Sequence, residues 1–285
     1  MTFTSKFRTG VAVAAFAALT TIAGAAQAAN MIDKCEVTGK KGEFSITPAV
    51  AGQLTYQSNL PAPGWNNGDT PETIKDGYEY CLAANIAWRL GLDKVKLVNV
   101  DFDALVAGNT KDFDIALSQI SITDKRKEVV KFSVPYFDSD VGVLAKKGKK
   151  YGSADMKGLR IGVQQGTTGT DFVTDTLKPK TQAKVFPDTP SMFTALMANQ
   201  VDVVMTDTAI VLGQAAESKG KMEVIGQYKT GEQYGALFPK NSANAATIDK
   251  VIAALIADGT TKKLSAKYLA ASWGADPNKI PYFKP

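Results

Sequence analysis

From position 29 onward the chain alternates short runs of β-branched residues with longer stretches in which apolar positions recur every three or four residues. That alternation is the signature of βα units built around mostly parallel sheets. Leu54 to Asn59, Lys96 to Val100 and Asp114 to Ser118 read as strands of one lobe. Arg160 to Val163, Lys184 to Phe186, Val201 to Met205 and Glu223 to Ile225 read as strands of a second. Between them, Val141 to Ala145 runs into Lys146-Lys147-Gly148-Lys149-Lys150, a pattern that fits a solvated surface loop. Helical periodicity is clearest from Cys81 to Leu90, where Leu82, Ile86 and Leu90 share a face and Gly91 supplies the stop. Ile248, Val251, Ile252, Leu255 and Ile256 form another stripe, ended by Asp258-Gly259, and a further helix holds Leu264 and Tyr268.

One unit occurs twice. Phe102 to Ala107 followed by Asp114 to Ser118 is echoed by Phe193 to Ala198 followed by Asp202 to Thr206, each a short helix, a turn and an apolar strand ending in a hydroxyl residue. The echo suggests two lobes of like construction, each a mainly parallel sheet flanked by helices. The expected division is 29–139 plus 236–285 for the first lobe and 140–235 for the second, with two strands connecting them as a hinge.

Residues 1–28 stand apart from this pattern. Lys6 and Arg8 precede an apolar stretch from Val11 to Ala23, and Ala26-Gln27-Ala28 forms an A-x-A cleavage site, so the segment reads as a cleaved secretory signal. The stretch is short and rich in Ala and Thr, which disfavours a membrane anchor, and no other apolar run is long enough to span a bilayer. Export places Cys35 and Cys81, the two cysteines of the chain, in an oxidising compartment where a Cys35–Cys81 disulfide is expected. The alternative is a pair of buried free thiols.

Composition removes several chemistries. With 45% hydrophobic and 21% charged residues the chain is an ordinary globular one. It has no histidine, which excludes a Ser-His-Asp triad, a Cys-His dyad and any His-based zinc site, and two cysteines cannot form a four-thiolate centre. No cofactor is expected. A formal charge of +5, lowered when the signal is removed, is too mild to suggest nucleic acid. A monomer is expected, since no large apolar stripe is left over.

In open α/β sheets, ligands collect at the carboxyl ends of strands. Three such junctions here are polar. At Ser118 to Arg126, Thr123 is placed to cap the next helix, which puts Arg126 in its first turn. A cation there opposes the helix dipole unless an anion sits between, and the arginine fork matches a carboxylate. Gln164-Gln165-Gly166-Thr167-Thr168-Gly169 offers backbone amides and hydroxyls to an anion, although a plain βα loop is the commoner meaning of such a turn. Thr206-Asp207-Thr208 follows an apolar strand, where the residues alone favour Asp207 as a helix cap over a ligand group. Together the three complement a zwitterion carrying a carboxylate and an ammonium.

The residues at these junctions resemble a family, the periplasmic amino-acid-binding proteins of ABC uptake systems. Gly77-Tyr78-Glu79-Tyr80-Cys81-Leu82-Ala83 is similar to its G-F-D-x-D-L-A helix opening, with Cys81 at a usually acidic position. Ser121-Ile122-Thr123-Asp124-Lys125-Arg126, then Phe132-Ser133-Val134-Pro135-Tyr136, is the most specific stretch. Lys157 to Val163 with Gln165-Gly166-Thr167-Thr168, and Val201-Asp202 through Asp207, follow in family order. The resemblance implies a two-lobed Venus-flytrap fold of the type II periplasmic-binding class that closes on a polar or charged amino acid and delivers it to an inner-membrane ABC permease. By motif, Arg126 would clamp the α-carboxylate with Ser121 and Thr168, and Asp207 would accept the α-ammonium. Ser118 and Gln119 would line the same wall, and Phe102 would pack on the ligand side chain or in the core. The stretch after the first strand departs from the family's aromatic-Pro-Phe segment; Trp65 is the candidate aromatic cover, with Tyr56 second. Two alternatives use the same scaffold: a dehydratase or lyase with Asp207 as general acid, and a ligand sensor.

Overall fold

The computed structural model describes residues 1–4 and 29–285, so the expected export signal lies, beyond its first four residues, outside the described residues. A small hairpin of β1 (Met31–Ile32) and β2 (Cys35–Glu36) comes first. Then follow β3 (Gln53–Ser58), α1 (Tyr78–Arg89), β4 (Lys94–Asn99), α2 (Phe102–Val106), β5 (Ile115–Ala116), α3 (Asp124–Lys127) and β6 (Val130–Lys146). A second run gives β7 (Ile161–Gln164), α4 (Thr168–Asp171), β8 (Lys184–Phe186), α5 (Thr189–Met197), β9 (Val203–Asp207), α6 (Thr208–Glu217) and β10 (Met222–Pro239). α7 (Ala245–Ala257) and α8 (Thr260–Ser265) carry the chain back, and short helical turns lead to its end.

Eight of the strands form one sheet in the order β4-β3-β5-β10-β6-β9-β7-β8. Both ends are parallel, β3 with β4 and β5, and β7 with β8 and β9. In the middle, β6 and β10 pair antiparallel with each other and run through both halves, 17 and 18 residues long. The pattern thus yields the expected α/β architecture, with each half of the sheet buried under its own apolar side chains. Leu54, Ile86, Leu97, Ile115 and Ile248 pack the first half. In the second, strand alternation sends Val143, Ile161 and Val203 to one face and Leu144 and Val204 to the other, where Phe193 of α5 packs on them.

β6 and β10 lose register where they pass between the halves. Three residues of β10, 229–231, bulge opposite the single residue Asp140. Freed backbone donors need partners, and Asp140 Oδ1 accepts the N–H groups of Thr230 and Gly231, both at 2.8 Å. Strand expectations hold to within a few residues, with two differences. Only Ile115–Ala116 of the 114–118 run joins the ladder, because the rest turns away to form a loop. Glu223 to Ile225 proves to be the start of β10, whose polar middle breaks the alternation a strand reader needs. The loop after β6 does carry exposed lysines, with Lys147 paired to Glu223 at 2.6 Å.

Cys35 and Cys81 are joined in a disulfide that ties β2 to α1 across a separation of 46 residues. No helix among the described residues is long and apolar enough to cross a membrane.

Candidate functional site

The carboxyl ends of β3, β5, β7 and β9 face one another across a cavity of about 390 Å³ lined from both halves. This is the position the fold class favours for a ligand. Thr123 Oγ1 accepts the Arg126 N–H at 3.2 Å, capping α3 as the sequence suggests and fixing Arg126 in its first turn. Arg126 is 8% exposed. Its Nη1 donates to Ser121 O at 2.6 Å, its Nη2 donates across the cleft to Gly166 O at 2.9 Å, and the guanidinium lies 5.5 Å from the centre of the Phe102 ring. Gly166 has φ +73°, and a Cβ there would meet Asp103 Oδ1 at 2.6 Å, so glycine is what lets the two walls approach. Burial pulls the Arg126 pKa down, while the charges of Asp207, Glu232 and Asp171 hold it up.

Asp207 ends β9 immediately before α6, yet its side chain makes no cap bond to that helix. Instead Oδ2 accepts from Tyr234 Oη at 2.6 Å and Oδ1 from Thr206 Oγ1 at 3.3 Å. Burial, and after it the charge of Glu232, raises the Asp207 pKa above the ordinary carboxylate range; Tyr234 and Arg126 pull it back. A buried carboxylate with only two donors is poised for a cationic partner.

Ser121 and Thr168 reach the cavity wall from opposite halves, and both donate to one atom. Glu232 Oε2 accepts from Ser121 Oγ at 2.6 Å and from Thr168 Oγ1 at 2.7 Å. Thr167, not Thr168, caps α4 by accepting from Thr170 N at 3.2 Å, which leaves the Thr168 hydroxyl free for this contact. Ser118 Oγ accepts from Asn59 N at 2.9 Å. Gln119 sits at φ +49° and is anchored by Glu79, whose Oε1 accepts the Gln119 N–H at 2.8 Å and Tyr136 Oη at 2.6 Å. Burial pushes the Glu79 carboxyl up to about 7 against the pull of these donors.

Phe102 and Trp65 both line the cavity. Trp65 is only 1% exposed and packs edge-on against Tyr78, Phe137 and Tyr234, so it forms floor rather than cover. Tyr56 is placed elsewhere. On β3 its ring lies against Tyr80 and its hydroxyl donates to Asn66 Oδ1, inside the first core.

Several lining side chains are not singled out by the sequence reading, although Gln164 belongs to a junction it names. Asn59 and Gln164 face each other across the cleft, with Gln164 Nε2 donating to Asn59 Oδ1 at 3.5 Å. Beyond Asp207 the wall continues along α6 through Ile210, Gln214 and Glu217, and α5 contributes Phe193 and Met197 opposite. The spacing of 207, 210, 214 and 217 puts those positions on one helical face, a signal readable from sequence. Glu232 carries no such signal; it lies in the polar run from Lys229 to Gln233.

The arrangement holds one guanidinium opposite one buried carboxylate, which complements a zwitterion. Among the described residues no group of three His, Cys, Asp or Glu side chains could hold a metal ion. Comparison with known proteins gives a consistent answer. The arginine-binding protein 1 of an Escherichia coli ABC transporter is 30% identical over 233 residues, covering 79% of this chain and 94% of that one. A probable histidine-binding protein of Neisseria gonorrhoeae is 29% identical, covering 83% and 91%. Among solved structures, the arginine-, lysine-, histidine-binding protein ArtJ of Geobacillus stearothermophilus aligns with a TM-score of 0.67 at 28% identity, over 76% of this chain and 95% of that one. The sequence profile of bacterial extracellular solute-binding proteins, family 3, matches residues 68–271. The chain belongs to that family.

Proposed function

We propose that this protein captures a polar or charged α-amino acid, or a close derivative, in the periplasm and passes it to an inner-membrane ABC permease. The observation that carries the reading is the placement of Arg126 and Asp207 on one cavity, each supplied by a different half of the sheet. Arg126 takes the α-carboxylate and Asp207 the α-ammonium, so one ligand satisfies both halves at once. With 29–139 plus 236–285 as one lobe and 140–235 as the other, β6 and β10 are the hinge. Contacts made only when both lobes share a ligand shift the population toward the closed state. The relatives' arginine and histidine specificities fall within this ligand class. The family consists of binding proteins rather than enzymes, so the lyase alternative gains no support.

Thermal-shift screening of the chain from residue 29, unfolded and refolded to remove carried ligand, tests the proposal. Amino acids, carboxylates without an amine, sugars and polyamines make up the panel. Stabilisation grows with ligand concentration over Kd, and a shift confined to α-amino acids is expected. Arg126→Ala should weaken the responding ligand by roughly 30-fold or more in calorimetry, since a buried charge pair loses one partner. A response only to sugars, or unchanged affinity in Arg126→Ala, would remove the clamp from the site.

A further inference from the structure

The cavity's polar end is unbalanced in charge. Among the cavity's described lining residues Arg126 is the one cation and Asp207 the one buried acid, while Glu217, at the far end of α6, is exposed. Behind the wall stands a third carboxylate, that of Glu232, in contact with Ser121 and Thr168. Each hydroxyl has a single proton to donate. Both protons are directed to Glu232 Oε2, at 2.6 and 2.7 Å, so toward the cavity Ser121 and Thr168 present lone pairs. Two groups that motif matching gives to the α-carboxylate are thereby turned into acceptors. Of the three groups assigned to the carboxylate, Arg126 alone remains a donor, and two of its N–H bonds already end on Ser121 O and Gly166 O.

We infer that Glu232 is a specificity-determining residue and that the site selects α-amino acids with a cationic side chain. The inference rests on the amino-acid reading above and narrows it. A zwitterion entering this cavity leaves buried Asp207 and half-buried Glu232 facing one guanidinium, a net negative charge beside the ligand. A ligand with one further positive charge cancels it, and its additional N–H donors meet an acceptor-rich wall. The raised pKa of Asp207, to which Glu232 contributes after burial, is the same imbalance seen without a ligand. Selection then works by penalising neutral isosteres, since specificity is a difference of affinities. Glu232 acts through Ser121 and Thr168 and through its charge; it does not itself line the cavity.

Arginine and citrulline are nearly the same shape and differ by one charge, which makes them the probe pair. Calorimetry on the refolded wild-type chain should give arginine roughly 30-fold or more tighter than citrulline, the ratio expected when a buried charge loses its partner. In Glu232→Gln the ratio should fall several-fold, whereas Glu232→Asp, which keeps the charge, should retain most of it. Equal affinities for the pair in wild type overturn the inference and leave the amino-acid reading standing. A ratio unchanged in Glu232→Gln removes Glu232 from the role. Failure of both probes and of every other α-amino acid in the panel overturns the amino-acid reading and this inference with it. The wild-type ratio needs no variant, so the charge preference stays testable even where Glu232→Gln fails to fold.

Discussion

At the scale of single residues, Asp207 shows how burial changes the proton affinity of an ordinary side chain. The residue is 3% exposed, and its carboxyl receives hydrogen bonds from Tyr234 and Thr206 and has its pKa raised by burial and by Glu232. In the empty protein it therefore keeps its proton to higher pH than a free aspartate. An ammonium brought against it favours the ionised form, so binding should release protons, up to one per site, as pH approaches neutrality from below. Titration in two buffers of different ionisation enthalpy measures this. Heats that differ in wild type and coincide in Asp207→Asn are expected; identical heats in the wild type would show that Asp207 is already ionised. From its position at the end of an apolar strand Asp207 reads first as a helix cap, which the structure does not show; only the family resemblance singles it out as a ligand group. Glu232 was not legible, because a carboxylate in a polar stretch looks solvated until the fold shows Ser121 and Thr168 converging on it. Tyr56 misled for the opposite reason: an aromatic near a Pro-rich loop suggests a cover, but its position on β3 aims it at Tyr80.

Among the elements, the disulfide has the clearest energetic consequence. It fastens the β1–β2 hairpin, which has a single short ladder of its own, to the buried helix α1. Closing a loop of 46 residues removes chain entropy from the unfolded state worth about 4 kcal/mol in the loop-closure treatment. Replacing both cysteines by alanine should therefore lower stability in urea by roughly 2–4 kcal/mol, with ligand affinity little changed because neither cysteine lines the cavity. A loss below about 1 kcal/mol would mean that the hairpin is held by packing alone. Elements with one dominant period were readable from the chain: α1 through its apolar face, β9 through its apolar run. The long strands β6 and β10 were read only in part. Each leaves one core and enters another, so its pattern changes phase midway, and β10 bulges at 229–231. No local window contains the information that two distant cores share a strand.

For the whole molecule, the buried acids set how stability responds to pH. Glu79 joins α1 to the loop after β5 and to β6, through Gln119 and Tyr136. Its pKa is about 7 in the folded chain against an ordinary 4.5. A folded-state pKa above the unfolded one means that the native state holds the proton more tightly. The stability from this group is fully present below about 4.5 and is lost as pH rises through about 7. For a fully buried carboxyl this amounts to about 3 kcal/mol across the window. Asp207 contributes with the same sign. Asp202, Glu223 and Asp258, whose pKa values are lowered, act with the opposite sign but at more acid pH. The empty protein should thus lose stability in urea between pH 5 and 8, and Glu79→Gln should lose less. A wild-type curve that is flat or rising there would sink the buried-acid account. Saturating ligand separates the two groups: an ammonium at Asp207 removes that residue's share of the slope, while the share of Glu79, which touches no ligand group, persists in the complex. A slope surviving ligand in wild type but vanishing with ligand in Glu79→Gln would therefore assign each part to its residue, and tie the stability of the fold to the occupancy of its cleft.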